Sequence, residues 1–235
     1  MIRVLLAYLA LAAPLNAQGI EAADYTQLRQ QALGFVDFEI LPSRPEPGYN
    51  IDHGIAFAGG HVGTHFTGQE RQLLDIGGTQ FDTFDPRSRP SAPLSLETGP
   101  EGEGLSLAHH PGFGSMAIFP LGPAGISEIV GRGEGSVAVL FSEDTCQVGF
   151  LLHARYDDPF PTERAISSWV LVTLYDRSGA ALEDHLFSPT PGQVMVAYRT
   201  SDSRTAIAGL TVENTDPGGI ALDDLAFGPC AQILG

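Results

Sequence analysis

Short β-patterned runs separated by turn signals fill the second half of the chain. The runs are rich in β-branched and aromatic residues, and Gly, Pro, Asp and Ser cluster between them. The turns at 175–179 (YDRSG) and 215–219 (TDPGG) have hairpin composition. This pattern predicts an all-β fold, an antiparallel two-sheet β-sandwich of jelly-roll type. The predicted strands are 105–108, 113–119, 135–142, 146–156, 166–175, 180–187, 193–200, 205–213 and 220–228.

The first half of the chain has a weaker pattern. Residues 22–33 carry a weak helical stripe, which predicts a short N-terminal helix within a lead-in segment at 18–33. Residues 34–41 read as the first strand, and 82–104 is rich enough in Pro, Ser, Gly and acids to predict a long surface loop. No linker divides the chain, so we expect one domain at 34–235. Shorter strand-like runs lie at 53–58, 62–66 and 72–76.

The N-terminus has the pattern of a secretory signal peptide. Arg3 precedes an apolar stretch at 4–15, and the small residue Ala17 marks a cleavage point. We therefore expect residues 1–17 to be removed and the protein to be secreted or periplasmic; a buried N-terminal helix is the alternative. No later stretch approaches the ~20 apolar residues of a membrane span, so no membrane insertion is expected.

The charge of the chain restricts its partners. The formal net charge is -16, and loss of Arg3 with the leader would change it to -17. The chain has no Lys, a feature that a GC-rich genome would also explain. An acidic surface repels nucleic acid and anionic lipid but tolerates divalent cations and cationic partners.

Two adjacent acids interrupt the apolar closing strand. Asp223 and Asp224 point to opposite faces of a strand, so one of them must point towards the core. A buried carboxylate is costly unless it is paired, hydrogen-bonded or bound to metal. Only 12 Lys and Arg face 28 Asp and Glu, so calcium, which prefers oxygen ligands, is a reasonable counter-charge. The alternative is that these acids hydrogen-bond a turn.

The ends of the chain resemble those of MAM-type jelly-roll domains and of related bacterial carbohydrate-binding jelly rolls. The resemblance lies in the opening VDFE at 36–39, the closing GIALDDL at 219–225, and the two cysteines, Cys146 and Cys230. It implies that the first and last strands lie close together and hold a structural calcium. It assigns the calcium ligands by position to Glu39 and Asp223, with Asp224 and Asp52 as lesser candidates.

The cysteine count is consistent with this resemblance. An even number of cysteines in an exported chain suggests a disulfide, with two free buried thiols as the alternative. The resemblance implies that Cys146 pairs with Cys230. The first cysteine pair of MAM domains is absent here, and the chain is longer than the usual domain.

Histidines offer a second metal hypothesis. His53, His61 and His65 fall in one short stretch, but on a strand His61 and His65 would stand ~13 Å apart, too far to share zinc by themselves. His109 and His110 lie next to a Pro-Gly pair. Scattered surface and turn histidines are the favoured interpretation.

No catalytic motif is present in the sequence. The G-x-S-x-G, H-E-x-x-H and P-loop patterns are all missing, although His153 with Asp157 and Asp158 could join a serine. We predict a non-catalytic binding or adhesion-type module that recognises extracellular glycan or a cell-surface partner. The alternatives are a secreted glycoside hydrolase or lyase and a purely structural envelope protein. Trp169 is expected in the core, and the remaining aromatic contact candidates are Tyr49, Tyr156, Phe160 and Tyr198.

Overall fold

A computed structural model describes residues 19–154, 168–202, 205–228 and 230. The predicted signal peptide lies outside the described residues. In chain order the elements are β1 (Ile20–Ala22), α1 (Tyr25–Gln31), β2 (Gly34–Val36), β3 (Tyr49–Ile51), β4 (Ile55–Phe57), β5 (Gly60–Gly63), β6 (His65–Phe66), β7 (Arg71–Ile76), β8 (Thr79–Phe84), β9 (Leu96–Glu97), β10 (Leu105–His110), β11 (Ser115–Pro120), a 3-10 turn (Ile129–Gly131), β12 (Val137–Thr145), β13 (Gln147–Ala154), β14 (Val170–Tyr175), β15 (Ala181–Phe187), β16 (Gly192–Thr200), β17 (Ile207–Asn214) and β18 (Ala221–Gly228).

Two antiparallel sheets form the body of the protein. The larger sheet has the order β1-β16-β13-β18-β11-β10-β3, with β2 also paired to β18, and the smaller sheet has the order β15-β14-β17-β12-β5-β4. From β11 onward the chain crosses repeatedly between the two sheets, as in jelly rolls. The prediction of an all-β antiparallel sandwich is confirmed.

The core lies between the two sheets. Alternate residues of each strand point inward, and both sheets contribute to one apolar cluster. Among its fully buried members are Phe141, Phe150, Leu152, Leu174 and Ile207. Trp169 is not part of this cluster: it precedes β14 and is only half-buried, so its predicted core position is wrong.

The outer face of the larger sheet, the face turned away from the smaller sheet, carries the helix. Asp24 caps α1 by accepting a hydrogen bond from the amide of Gln27 at 2.9 Å. Tyr25 and Leu28 pack on Ala197 and Ala226 of this face. No helix among the described residues is long and apolar enough to cross a bilayer.

Segment 64–98 covers part of the outer face of the smaller sheet. Phe66 and Leu94 pack there against Tyr175 and Ala208. The segment contains a hairpin, β7 and β8, and the short strand β9 paired with β6. The predicted loop at 82–104 therefore contains the end of one strand and the whole of another.

The predicted opening strand is shorter than its sequence pattern suggests. It ends at Val36 because Phe38 has a left-handed φ of 54° and turns its side chain into the core. The Oδ1 atom of Asp37 accepts a hydrogen bond from the amide of Glu39 at 3.2 Å and stabilises this turn.

Candidate functional site

A β-bulge lies in the closing strand at the two acids. Gly149 faces Ala226 and Leu151 faces Asp223, so Phe150 of β13 lies opposite two residues of β18. The extra residue is accommodated because Asp224 has a φ of 51°. The bulge places Asp223 near the start of β11, which also pairs with β18, whereas the Asp224 carboxylate lies 3.7 Å from Arg29 of α1.

Two predicted ligands, Glu39 and Asp223, meet at this point. The Ser115 hydroxyl donates to Asp223 Oδ2 at 2.5 Å, and the amide of Asp224 donates to Asp223 Oδ1 at 2.7 Å. The amide of Met116, the neighbour of Ser115, donates to Glu39 Oε1 at 2.7 Å. Residues almost two hundred positions apart in sequence therefore form one acidic site.

Burial dominates the electrostatics of this acidic site. Asp223 is 2% exposed. Burial raises its pKa to about 7; Asp224 and Glu39 add to the rise, and the Ser115 and Asp224 hydrogen bonds oppose it. Burial also raises the pKa of Asp224, which Arg29 opposes from 3.7 Å. Asp223 has no ion-pair partner among the described residues.

Asp52 lies apart from the other predicted ligands. It follows β3, which is separated from β18 by β11 and β10, a lateral distance of about 14 Å. Its carboxylate accepts hydrogen bonds from the amide of Gly102 and the side chain of Asn50, both at 2.7 Å. Asp52 therefore stabilises a loop, and the site instead gains Ser115, which the sequence did not reveal.

The acidic site supplies only part of a calcium coordination shell. Within the described part of the chain, no group of three or more His, Cys, Asp or Glu side chains could hold a metal ion. A calcium ion at Glu39 and Asp223 would require additional carbonyl or water oxygens, which calcium accepts. The histidines fit the favoured interpretation of scattered positions: His61 is exposed on β5, whereas the imidazole of His65 lies 3.4 Å from the Glu97 carboxylate.

A second cluster was not predicted from the sequence. Four rings meet on the outer face of the larger sheet, near the β10–β11 turn, and we call them the ring cluster: His110, Phe113, Phe119 and His153. The His110 centroid lies 4.4 Å from that of His153, 4.8 Å from that of Phe113 and 5.4 Å from that of Phe119. Phe113 and His153 are half-buried, so the cluster reaches the surface.

Hydrogen bonds connect the ring cluster to the β10–β11 turn, and connect that turn to the start of β16. The Gly112 amide donates to His110 Nδ1 at 2.8 Å, and His110 Nε2 lies 3.0 Å from His153 Nδ1. The side-chain amide of the exposed Gln193 donates to the Gly112 carbonyl at 2.9 Å. Burial, with a smaller contribution from His153, lowers the pKa of His110 to about 4, and burial lowers the pKa of His153.

The remaining predicted aromatic contacts are not at this cluster. Tyr198 is 5% exposed and stacks on His185 in the interior, so its predicted contact role is wrong. The Tyr49 hydroxyl donates to the Pro42 carbonyl at 3.1 Å. Tyr156 and Phe160 lie outside the described residues, as do Asp157 and Asp158.

The predicted disulfide is present in the structure. Cys146, between β12 and β13, is bonded to Cys230, just after β18, across a sequence separation of 84. The Cys146 amide also donates to the Gly228 carbonyl at 3.0 Å. The disulfide therefore fixes the end of the closing strand to the β12–β13 connection.

Comparison with known proteins adds little about function. No protein-family profile and no curated protein matches this chain. Among solved structures, a mutant of the family 29 carbohydrate-binding module CBM29-2 is 14% identical, with a TM-score of 0.32 over 56% of this chain and 82% of that chain. Another CBM29-2 mutant, complexed with mannohexaose, gives the same values. A further family 29 mutant is 12% identical, with a TM-score of 0.32 over 72% of this chain and 87% of that chain. These values are too low to transfer a ligand, and membership of the MAM family stays a prediction.

Proposed function

We propose that this protein is an exported, non-catalytic β-sandwich module that binds an uncharged glycan on the outer face of its larger sheet. The ring cluster is the observation that carries the proposal. Proteins bind sugars by placing apolar ring faces beside polar groups that can hydrogen-bond to hydroxyls. Phe113 supplies such a ring face at the surface, and His153 and Gln193 supply polar groups beside it.

The charge of the protein favours an uncharged ligand. A net charge of -16 repels uronic acids and sulfated sugars. Burial lowers the pKa of both histidines of the ring cluster, so at neutral pH they bring no positive charge to attract an anion. The site therefore relies on ring contacts and neutral hydrogen bonds.

A glycan array tests the proposal, with Phe113→Ala as the informative variant. The wild type should bind at least one uncharged oligosaccharide, and loss of the ring should weaken binding about tenfold. Phe35→Ala is the matched control, because Phe35 is 42% exposed on β2 and lies outside the ring cluster. Binding that is equal in the wild type and Phe113→Ala would refute the location, and release of reducing sugar would identify an enzyme instead.

We also propose that calcium binds at the acidic site between Glu39 and Asp223. Asp223 is buried and accepts hydrogen bonds from a hydroxyl and an amide, and Glu39 accepts a hydrogen bond from the start of the same strand as that hydroxyl. A divalent cation would offset the cost of burying these two carboxylates. The ion would join the closing strand to the turn after β2.

Thermal unfolding with calcium and with EDTA tests this site. At a free calcium concentration one hundred times the Kd, the wild type should gain about 2.7 kcal/mol of unfolding free energy. Asp223→Ala should abolish the gain, whereas Asp52→Ala should keep it because Asp52 lies elsewhere. Identical melting of the wild type in calcium and EDTA would remove calcium from the account.

Export is the remaining part of the proposal. The N-terminal pattern predicts cleavage after Ala17, and a disulfide is typical of oxidising compartments. Mass spectrometry of protein recovered outside the cytoplasm should show a chain that begins at Gln18. A chain that retains Met1 would contradict export through this signal.

A further inference from the structure

On the basis of the proposed glycan-binding function, we infer that the protein binds the end of a glycan chain rather than an internal segment. The chain end would lie in a groove on the outer face of the larger sheet, which we call the end groove. Its floor is formed by Leu151 of β13 and Met195 of β16, and its walls are α1 and the β10–β11 turn at 111–114.

Strand register defines the floor of the end groove. Leu151 pairs with Met195 across β13 and β16. The residues before and after each of them in its strand pack in or against the core, so Leu151 and Met195 point to the outer face. Met195 is 63% exposed and Leu151 is half-buried, so the two side chains form an apolar strip at the surface.

The β10–β11 turn forms one wall. His153 pairs with Gln193 two residues along the strands from the floor pair. The side-chain amide of Gln193 donates to the Gly112 carbonyl at 2.9 Å, and a Cβ atom added to Gly112 would lie 2.8 Å from the His153 ring. The turn therefore lies directly on this pair of residues, and it carries the half-buried Phe113.

Helix α1 forms the other wall. Gly149 pairs with Ala197 two residues from the floor pair in the opposite direction. Tyr25 packs on Ala197, and a Cβ atom added to Gly149 would lie 2.9 Å from the Tyr25 ring. Thr26 Oγ1 lies 3.9 Å from Met195 Sδ, so the helix borders the floor. The pairs that the turn and the helix cover are four residues apart, about 13 Å, and the floor pair lies midway between them.

The end groove is open at one end and closed at the other. Exposure falls from 63% at Met195, through the half-buried Leu151, to 2% at Asp223, which pairs with Leu151 on its other side. The Ser115 hydroxyl hydrogen-bonds to Asp223 at this closed end. At the open end, the next described strand beyond β16 is β1, which pairs with residues 198–200 and does not reach Met195.

A groove of this shape selects a chain end, because an internal segment would have to leave it in both directions. The open and closed ends are two strand spacings apart, about 10 Å, the length of about two linked pyranose rings. The residues that border the groove carry no charge: Leu151 and Met195 on the floor, Phe113, Thr26 and Gln193 at the walls. An apolar floor with polar side chains at its margins fits the terminal rings of an uncharged glycan.

The number of protein molecules bound per glycan chain tests this inference. Calorimetry would use linear uncharged oligosaccharides of glucose, mannose, xylose and galactose, from disaccharide to hexasaccharide, and the linear polysaccharide of the sugar that binds. One protein should bind each chain whatever its length, and affinity should stop rising once the groove is filled. If the number of proteins per chain grows with chain length, the protein binds internal segments and the inference is overturned, while the proposed function stands.

Met195→Ala tests whether the end groove is the place of binding. Removal of the thioether side chain should weaken binding of the trisaccharide about fivefold, because apolar contact with the sugar ring is lost. Leu186→Ala is the matched control, since Leu186 is 67% exposed on β15 of the smaller sheet and should bind like the wild type. If Met195→Ala binds like the wild type while Phe113→Ala is weakened, the end groove is not used and only the proposed function survives.

Two further outcomes separate the inference from other occupants of the groove. Analytical ultracentrifugation of the wild type and Met195→Ala without glycan should give the same mass. A wild-type dimer that Met195→Ala dissociates would overturn the inference, because the apolar strip would then be a contact between copies of this chain. If the wild type binds none of the oligosaccharides, the proposed function fails and the inference fails with it.

Discussion

Buried acids dominate the chemistry of this protein at the scale of single residues. Asp82, Glu134 and Glu213 are 2%, 1% and 6% exposed, and burial is the main cause that raises their pKa values to about 6, 9 and 7. Arg71 lies 2.9 Å from Asp82, and the amide of Phe84 donates to Glu213 at 2.8 Å. Glu134 differs from both, because among the described residues its Oε2 atom has no hydrogen-bond partner.

Glu134 should therefore make the protein less stable as the pH rises. Its folded pKa of about 9 lies above the ordinary value of 4.5, so the folded state holds a proton that the unfolded state has already released. Between pH 7 and 9 the unfolding free energy should fall by up to about 1.4 kcal/mol per pH unit. Urea unfolding of the wild type and Glu134→Gln across this range measures the effect.

The variant Glu134→Gln should flatten this pH dependence, because a neutral amide does not titrate. Glu128→Gln, at an exposed acid in the same connection, should keep the wild-type slope. If the unfolding free energies of the wild type and of Glu134→Gln fall equally as the pH rises, Glu134 is ionised in the folded protein well below pH 9.

At the scale of single elements, several long-range contacts converge on the closing strand. It pairs with β13 and β11, places Asp223 near Glu39, and ends at the disulfide. The bulge at Asp224 allows Asp223 to face the start of β11 while Leu225 returns to the core. The closing strand therefore connects the turn after β2 with the disulfide-bonded β12–β13 connection.

Removing the disulfide should lower the stability of the protein without preventing it from folding. The bond closes a loop across a separation of 84 residues, and the double variant Cys146→Ala with Cys230→Ala should lose about 2–4 kcal/mol of unfolding free energy. The backbone hydrogen bond from Cys146 to Gly228 remains available to hold the pair of strands. Chemical denaturation with and without reductant measures the loss.

Reductant supplies the control for this prediction. It should lower the stability of the wild type to that of the double variant and leave the double variant unchanged. Equal stability of the oxidised wild type and the double variant would mean that the bond contributes nothing to folding.

At the scale of the whole molecule, the sequence predicted the fold class and the acidic meeting point but not the ring cluster. Strand periodicity and turn composition were enough for the sandwich, because both are local properties of the chain. The contact between Ser115 and Asp223 joins residues 108 apart, and that between His110 and His153 joins residues 43 apart. Such contacts depend on strand order and register, which one sequence does not determine.

The predictions that the structure did not match have the same physical origin. Asp52 and Asp223 are the same residue type, yet three strand spacings separate them, so residue type alone could not exclude Asp52. Phe38 and Asp224 adopt left-handed backbone angles although neither is glycine, which broke the predicted opening strand and produced the bulge. The Gly112 turn, flanked by His110 and Phe113, was the available signal for the ring cluster, but its partner strand β13 could not be identified from the sequence.

Amide chemical-shift mapping during titration with an uncharged oligosaccharide selected from the array tests whether the glycan binds at the ring cluster. The perturbed amides should cluster at Gly112, Phe113, His153 and Gln193 on the outer face of the larger sheet. The amides of the β7–β8 hairpin, on the other side of the sandwich, should be unaffected. Perturbations confined to that hairpin, or to the smaller sheet, would contradict glycan binding at the ring cluster.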